Sequence, residues 1–136
     1  MGYTLFYALV FSGFLAALFL KFFAHGWLRG NLYDVLLVAF LSSATFSYAN
    51  FGVLKSIADG ADVETLRQSQ IALNRKIAAA WALVACVAEL IQGIVTMATG
   101  KPALGTFDPI DLACYIAGAV LSFNVNSLLY VDKRNR

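Results

Sequence analysis

Four long stretches of this sequence carry almost no charge, and that segregation constrains the fold more than any motif. Tyr3 to Leu20, Val35 to Leu54, Ile77 to Thr99 and Leu112 to Val131 are apolar runs. Among the 10 Lys and Arg and 8 Asp and Glu of the 136-residue chain, only Glu89 falls inside one of them. A hydrocarbon core of about 30 Å takes roughly 20 helical residues to cross, close to the length of each run. An ionised side chain at a bilayer centre costs at least about 2.5–3.5 kcal/mol, so a lipid solvent accounts for the segregation. With 60% hydrophobic and 13% charged residues, the chain differs from soluble domains, which carry about 45–50% apolar and about 25% charged residues, and from disordered ones. The runs lack the alternation of barrel strands. The expected fold class is all-α: a polytopic integral membrane protein, one domain over residues 1–136, with transmembrane helices at about 3–20, 35–54, 77–99 and 112–131.

Lys and Arg give the expected orientation. With both termini cytoplasmic, Lys55, Arg67, Arg75, Lys76, Lys133, Arg134 and Arg136 lie inside, against Lys21, Arg29 and Lys101 outside, as the positive-inside rule requires. Tyr3, Phe22, Phe23, Trp27, Tyr33, Trp81 and Tyr130 fall near the expected interfaces. The net charge of +2 then reflects topology and calls for no nucleic acid. No basic region precedes the first run, so it is expected to be retained rather than cleaved. Phe6 stands where a myristoylation signal wants Ser or Thr. The expected location is a bacterial-type inner (plasma) membrane.

The link from Lys21 to Asp34 reads as a short interfacial turn. Residues 55–76 read as a cytoplasmic helical connection, with Asp62 as N-cap and Glu64 in the first turn. Neither Pro nor Gly interrupts the chain from there until Gly93, so the third helix is expected to begin well before its apolar run. Asp108 and Pro109 read as cap and first position of the fourth helix.

Polar residues within the runs are the candidate site. Counting from the outer ends at about 1.5 Å per residue puts Glu89, Ser122 and Thr45 roughly 15 Å deep and Asn124 and Ser47 roughly 18 Å deep, a single expected level. Glu89, Gln92 and Thr96 share one helical face, as do Ser43, Ser47 and Asn50. Asp111, Tyr115, Ser122 and Asn126 form a third stripe, beside the small residues Cys114, Gly118 and Ser122. Small residues let helices approach, and polar side chains bond across the contact. Spans two to four are therefore expected to pack together, and a Glu89 that fixes helix register is expected to be satisfied by Ser47, Asn124 or a group on another subunit. Span one is expected at the periphery, facing inward with Ala8, Ser12 and Ala16.

Glu89, Gln92, Ser43, Ser47, Asn50, Ser122, Asn124 and Asn126 thus form the expected intramembrane polar cluster, serving helix packing or a pathway. A lone intramembrane carboxyl group can carry a proton, pair with a cation, or fix helix register. Cys86 and Cys114 differ in expected depth by roughly 17 Å, too far for the under 7 Å between Cα atoms that a disulfide needs. His25 alone makes no bis-His haem or His-rich metal centre, and no cofactor is expected. Phosphate-binding Gly-rich loops and the GxSxG, HExxH and paired-Cys motifs are absent, so no catalytic residue is assigned. The first expectation is a non-enzymatic integral subunit that scaffolds a larger membrane assembly or a homo-oligomer. The second is a small channel or transporter conducting protons or cations past Glu89. The third is a membrane enzyme acting on lipid or quinone. Expected partners are the lipid bilayer and other membrane subunits or further copies of the chain.

Overall fold

In a computed structural model that describes residues 2–26, 28–58, 62–101 and 108–131, the chain is helical, with no strand among the described residues. The helices are α1 (Gly2–Phe23), α2 (Tyr33–Ala58), α3 (Val63–Thr99) and α4 (Pro109–Asn126). One π-helical turn, Leu28–Leu32, leads into α2, and one 3-10 turn, Ser127–Leu129, follows α4. All four helices are long and apolar enough to cross a membrane. Trp27, the link at residues 102–107 and the basic residues Lys133, Arg134 and Arg136 lie outside the described residues.

Local chemistry sets the ends of α3 and α4. Asp62, extended at φ −66° and ψ 132°, accepts from the Thr65 amide at 3.1 Å and so satisfies one of the unpaired first-turn N–H groups. The helix then runs 37 residues to Thr99, where Gly100 at φ 68° takes the left-handed C-cap that residues with a Cβ adopt at a cost. Residues 63–76 are the opening turns of α3, as the early start expected for the third helix implies, and Val63, Leu66, Gln70 and Asn74 bury one face of them. Asp108 caps α4 by accepting from Ile110 N at 2.9 Å, with Pro109 opening the helix.

Helices α2, α3 and α4 pack on one another, and α1 lies mainly against α2. Chain direction follows from paired positions. Asn31, in the π-helical turn that leads into α2, meets Cys114 of α4, and Ser42 of α2 meets Ser122, so these helices run in parallel. On α3, Trp81 meets Thr45 and Gln70 meets Asn50, so α3 is antiparallel to both. Small residues make this packing close: Cys114, Gly118 and Ser122 are all buried, and a Cβ on Gly118 would collide with the Val35 carbonyl oxygen.

The inward face of α1 differs from expectation. Ala8, Ser12 and Ala16 are exposed, while Phe6 and Ala17 are buried and Val10 is partly buried. Phe6 is fully enclosed with Phe46 and Leu129, and Phe14 stacks on Phe40 at 4.6 Å. The aromatic surface of α2 therefore selects the larger side chains of α1, and the small-residue stripe turns outward.

Candidate functional site

Two polar clusters occupy opposite ends of the three-helix contact, separated by an apolar layer. At the end where α2 and α4 finish and α3 begins, the side chains are amides. Gln70 and Asn74, one turn apart on α3, and Asn126 on α4 are 0% exposed, and Asn50 on α2 is 1% exposed. Gln70 Nε2 donates to Asn50 Oδ1 at 2.9 Å and to the Leu129 carbonyl at 3.3 Å, while Gln70 Oε1 accepts from Val131 N at 2.7 Å. Asn74 Nδ2 donates to the Tyr130 hydroxyl at 2.6 Å and to the Phe123 carbonyl at 3.0 Å. Its Oδ1 accepts from Asn126 Nδ2 at 2.7 Å.

These amides replace a C-cap. As the chain tightens after α4, Ser127 N turns to the Asn124 carbonyl instead of continuing the α-helical ladder to Phe123. The end carbonyls of a helix need partners from elsewhere, and α3 supplies them with two side chains. Val131 and Leu129 are held on Gln70 much as a neighbouring strand would hold them.

At the other end the side chains are acidic. Because α2 and α4 run in parallel, the acidic residues of their first turns, Asp34 and Asp111, come side by side. Their carboxyl groups lie within electrostatic range of each other. Helix N-termini favour negative charge, which fits an acid in each first turn. The antiparallel α3 brings in Glu89, 6% exposed, whose Oε1 accepts from Asp108 N at 3.2 Å and whose Oε2 accepts from the Tyr115 hydroxyl at 3.3 Å. Asp34, Glu89, Gln92 and Tyr115 edge a cavity of about 270 Å³ between α2, α3 and α4. Its other walls are apolar, and Trp81 closes the far end, its indole N–H bonded to Thr45 Oγ1 at 3.0 Å.

Between the clusters, Val38, Ala78 and Ala119 form a buried apolar layer, packed by Trp81, Ala82, Ala85 and Tyr115. The Ser122 and Ser42 hydroxyls, 3.0 Å apart, follow it toward the amide end.

The polar residues singled out in the sequence therefore part company. Glu89 and Gln92 belong to the acidic cavity, and Asn50 and Asn126 to the amide cluster. Ser122 joins Ser42 midway, and with Ser43 it lines a smaller cavity of about 50 Å³ beside α1. The Ser47 hydroxyl shares a 3.0 Å hydrogen bond with Tyr7, and the exposed Asn124 bonds back to the Val120 carbonyl of its own helix. Glu89 meets neither Ser47 nor Asn124.

A single polar level does not exist. Glu89 bonds Asp108 N and the Tyr115 hydroxyl, which brackets it along α4 between those two residues, and Tyr115 itself precedes Ser122 by roughly 10 Å of helix. The expected alignment counted each run from its outer end, but residues 90–99 of α3 continue past the start of α4. Sequence reasoning missed Asp34 as a partner of Glu89, because the second run was trimmed at that charge. It missed Gln70 and Asn74 because they precede the third run. Their i, i+4 spacing in register with Val63 and Leu66 was the available signal. Cys86 and Cys114 are both free thiols. No protein-family model, curated protein or solved structure matches this chain.

Proposed function

We propose that the four helices lie in a lipid bilayer with both termini cytoplasmic, and that the protein binds and moves protons or cations through its carboxylate-lined cavity. One observation carries this reading: Asp34, Glu89 and Asp111, from three different helices, converge with Tyr115 beside an open space. Like charges in a poorly hydrated site repel, and such a group adds nothing to stability unless a proton or cation neutralises it. Lys21 on α1 is a basic group within electrostatic range of Asp34, and its ammonium lies 4.8 Å over the Tyr33 ring. Intramembrane ionisable groups that face a cavity are the usual elements of ion and proton pathways.

The apolar layer of Val38, Ala78 and Ala119 separates the cavity from the amide end, an arrangement suited to a carrier that opens in turn rather than a standing pore. The assembly expectation rested on polar faces in excess of what one chain needs. Gln70, Asn74 and Ser122 find partners within the chain, whereas among the described residues Asn50 Nδ2, Thr96 Oγ1 and Asn126 Oδ1 are buried without one, so only part of that surplus is left to support assembly.

The test is flux in liposomes. Wild-type protein should carry protons or a monovalent cation down an imposed gradient, and Glu89→Gln, which removes the charge but keeps an acceptor for Asp108 N, should reduce the rate about tenfold or more. Equal, background-level flux in both proteins would sink the reading.

A further inference from the structure

Resting on the cation-cavity reading, we infer that the occupant is an organic cation with an apolar body, an ammonium or phosphonium bearing alkyl or aryl groups, taken up in exchange for a proton. The cavity has two chemically different ends. Asp34, Glu89, Gln92 and Tyr115 gather at one, and Trp81 and Leu41 stand at the other. Glu89 and Trp81 are separated by about 12 Å of helix rise, room for a molecule whose charge lies at one end. The long walls come from Leu37, Val84 and Ala88, which offer nothing to an inorganic ion but bury alkyl or aryl surface favourably.

Size points the same way. At about 270 Å³ the space lies near the lower end of small-molecule pockets, which run from about 300 to 1,000 Å³. It far exceeds what a dehydrated alkali ion fills. A bare hard cation also needs about six oxygen ligands. Among the described residues, no three His, Cys, Asp or Glu side chains converge closely enough to hold one metal ion. Trp81 adds an indole, the aromatic group that attracts cations best. Its bond to Thr45, which itself donates to the Leu41 carbonyl at 2.8 Å, fixes its position.

Proton exchange follows from the charges that face Glu89 and Asp34. These are Asp111, Tyr115 and Asp108 from α4 and its cap, and Lys21 from α1. With acids in the majority, an arriving cation takes over the neutralising role that a proton would otherwise play there.

The experiment uses detergent-solubilised protein carrying Trp27→Phe, which leaves Trp81 as the only indole of the two in the chain. Benzyltrimethylammonium is titrated in while fluorescence and, in weak buffer, pH are recorded. The expected result is a saturable fluorescence change with proton release. Affinity should fall about tenfold or more in Asp34→Asn and in Glu89→Gln, and at low pH. Val84→Phe, which adds bulk at the cavity wall without touching its charges or adding an indole, should abolish binding, with a retained helical spectrum and unfolding midpoint confirming the fold. Competition by sodium or potassium at concentrations equal to the organic cation would overturn the inference, as would binding unchanged in the charge variants. Absence of saturable binding alongside Glu89-dependent proton flux in liposomes would overturn it too, while leaving the cation-cavity reading intact. Absence of both would remove the two together.

Discussion

Replacing Asn74 by Leu should loosen the whole amide end of the bundle. The side chain is similar in size but can neither donate nor accept, so the substitution removes three hydrogen bonds. These run to Tyr130 at 2.6 Å, to the Phe123 carbonyl at 3.0 Å and from Asn126 at 2.7 Å. Hydrogen bonds between helices in membrane proteins average about 0.6 kcal/mol, with a maximum near 1.7, so three give about 2 kcal/mol. Asn126 raises the figure rather than lowering it. Its Oδ1 is buried without a partner, and Asn74 is the one acceptor its Nδ2 reaches among the described residues. The substitution strands the whole amide at 0% exposure, a situation that costs about 1–3 kcal/mol. The expected loss is therefore about 3–5 kcal/mol, more than a hundredfold change in the folding equilibrium. The assay is equilibrium unfolding of protein in mild detergent by titration with SDS, followed by tryptophan fluorescence. Asn124→Leu is the matched control, because Asn124 is exposed and bonds only its own helix; it should shift stability by less than about 0.5 kcal/mol. Equal effects of the two substitutions would refute the reasoning.

Two further outcomes use the same unfolding measurement. Gly118→Ala should cost about 1–3 kcal/mol, because a Cβ there meets the Val35 backbone, which cannot turn aside as a flexible side chain could; a neutral result would mean that α2 and α4 separate freely. Asp62→Ala removes the cap that accepts from Thr65 N and Thr65 Oγ1 and should cost about 1 kcal/mol, with Asp62→Asn recovering most of it.

What the sequence made legible was local. Asp62, Gly100, Asp108 and Pro109 act within one turn of chain, where capping rules apply without knowledge of neighbours. The inward stripe of α4 was legible too, because Cys114, Gly118 and Ser122 stand out against large apolar residues. The face of α1 was not, since a run that is apolar nearly all round carries no periodicity to orient it. The acidic cavity was hidden for a different reason. Trimming the second apolar run at its first charge assigns Asp34 to the link, although it belongs to the first turn of α2 and edges the cavity, while Asp111, read on the fourth helix, is given no acidic neighbour. Partners across helices depend on how far one helix slides along another. The slide of α3 that brings Glu89 to Asp108 is a property of the packed bundle, not of any single run.

The uninterrupted length of α3 has a mechanical consequence. Gln70 and Asn74 near one end and Glu89 toward the other are fixed on a single rod with no Pro and no break between them. An axial movement of that rod changes the acidic cavity and the grip on Val131 by the same distance at the same moment. The stretch just after α4 is thereby a pointer for the state of the cavity: a label on Tyr130 or Val131 sits on the far side of the apolar layer from Glu89, yet reports its displacement undiminished.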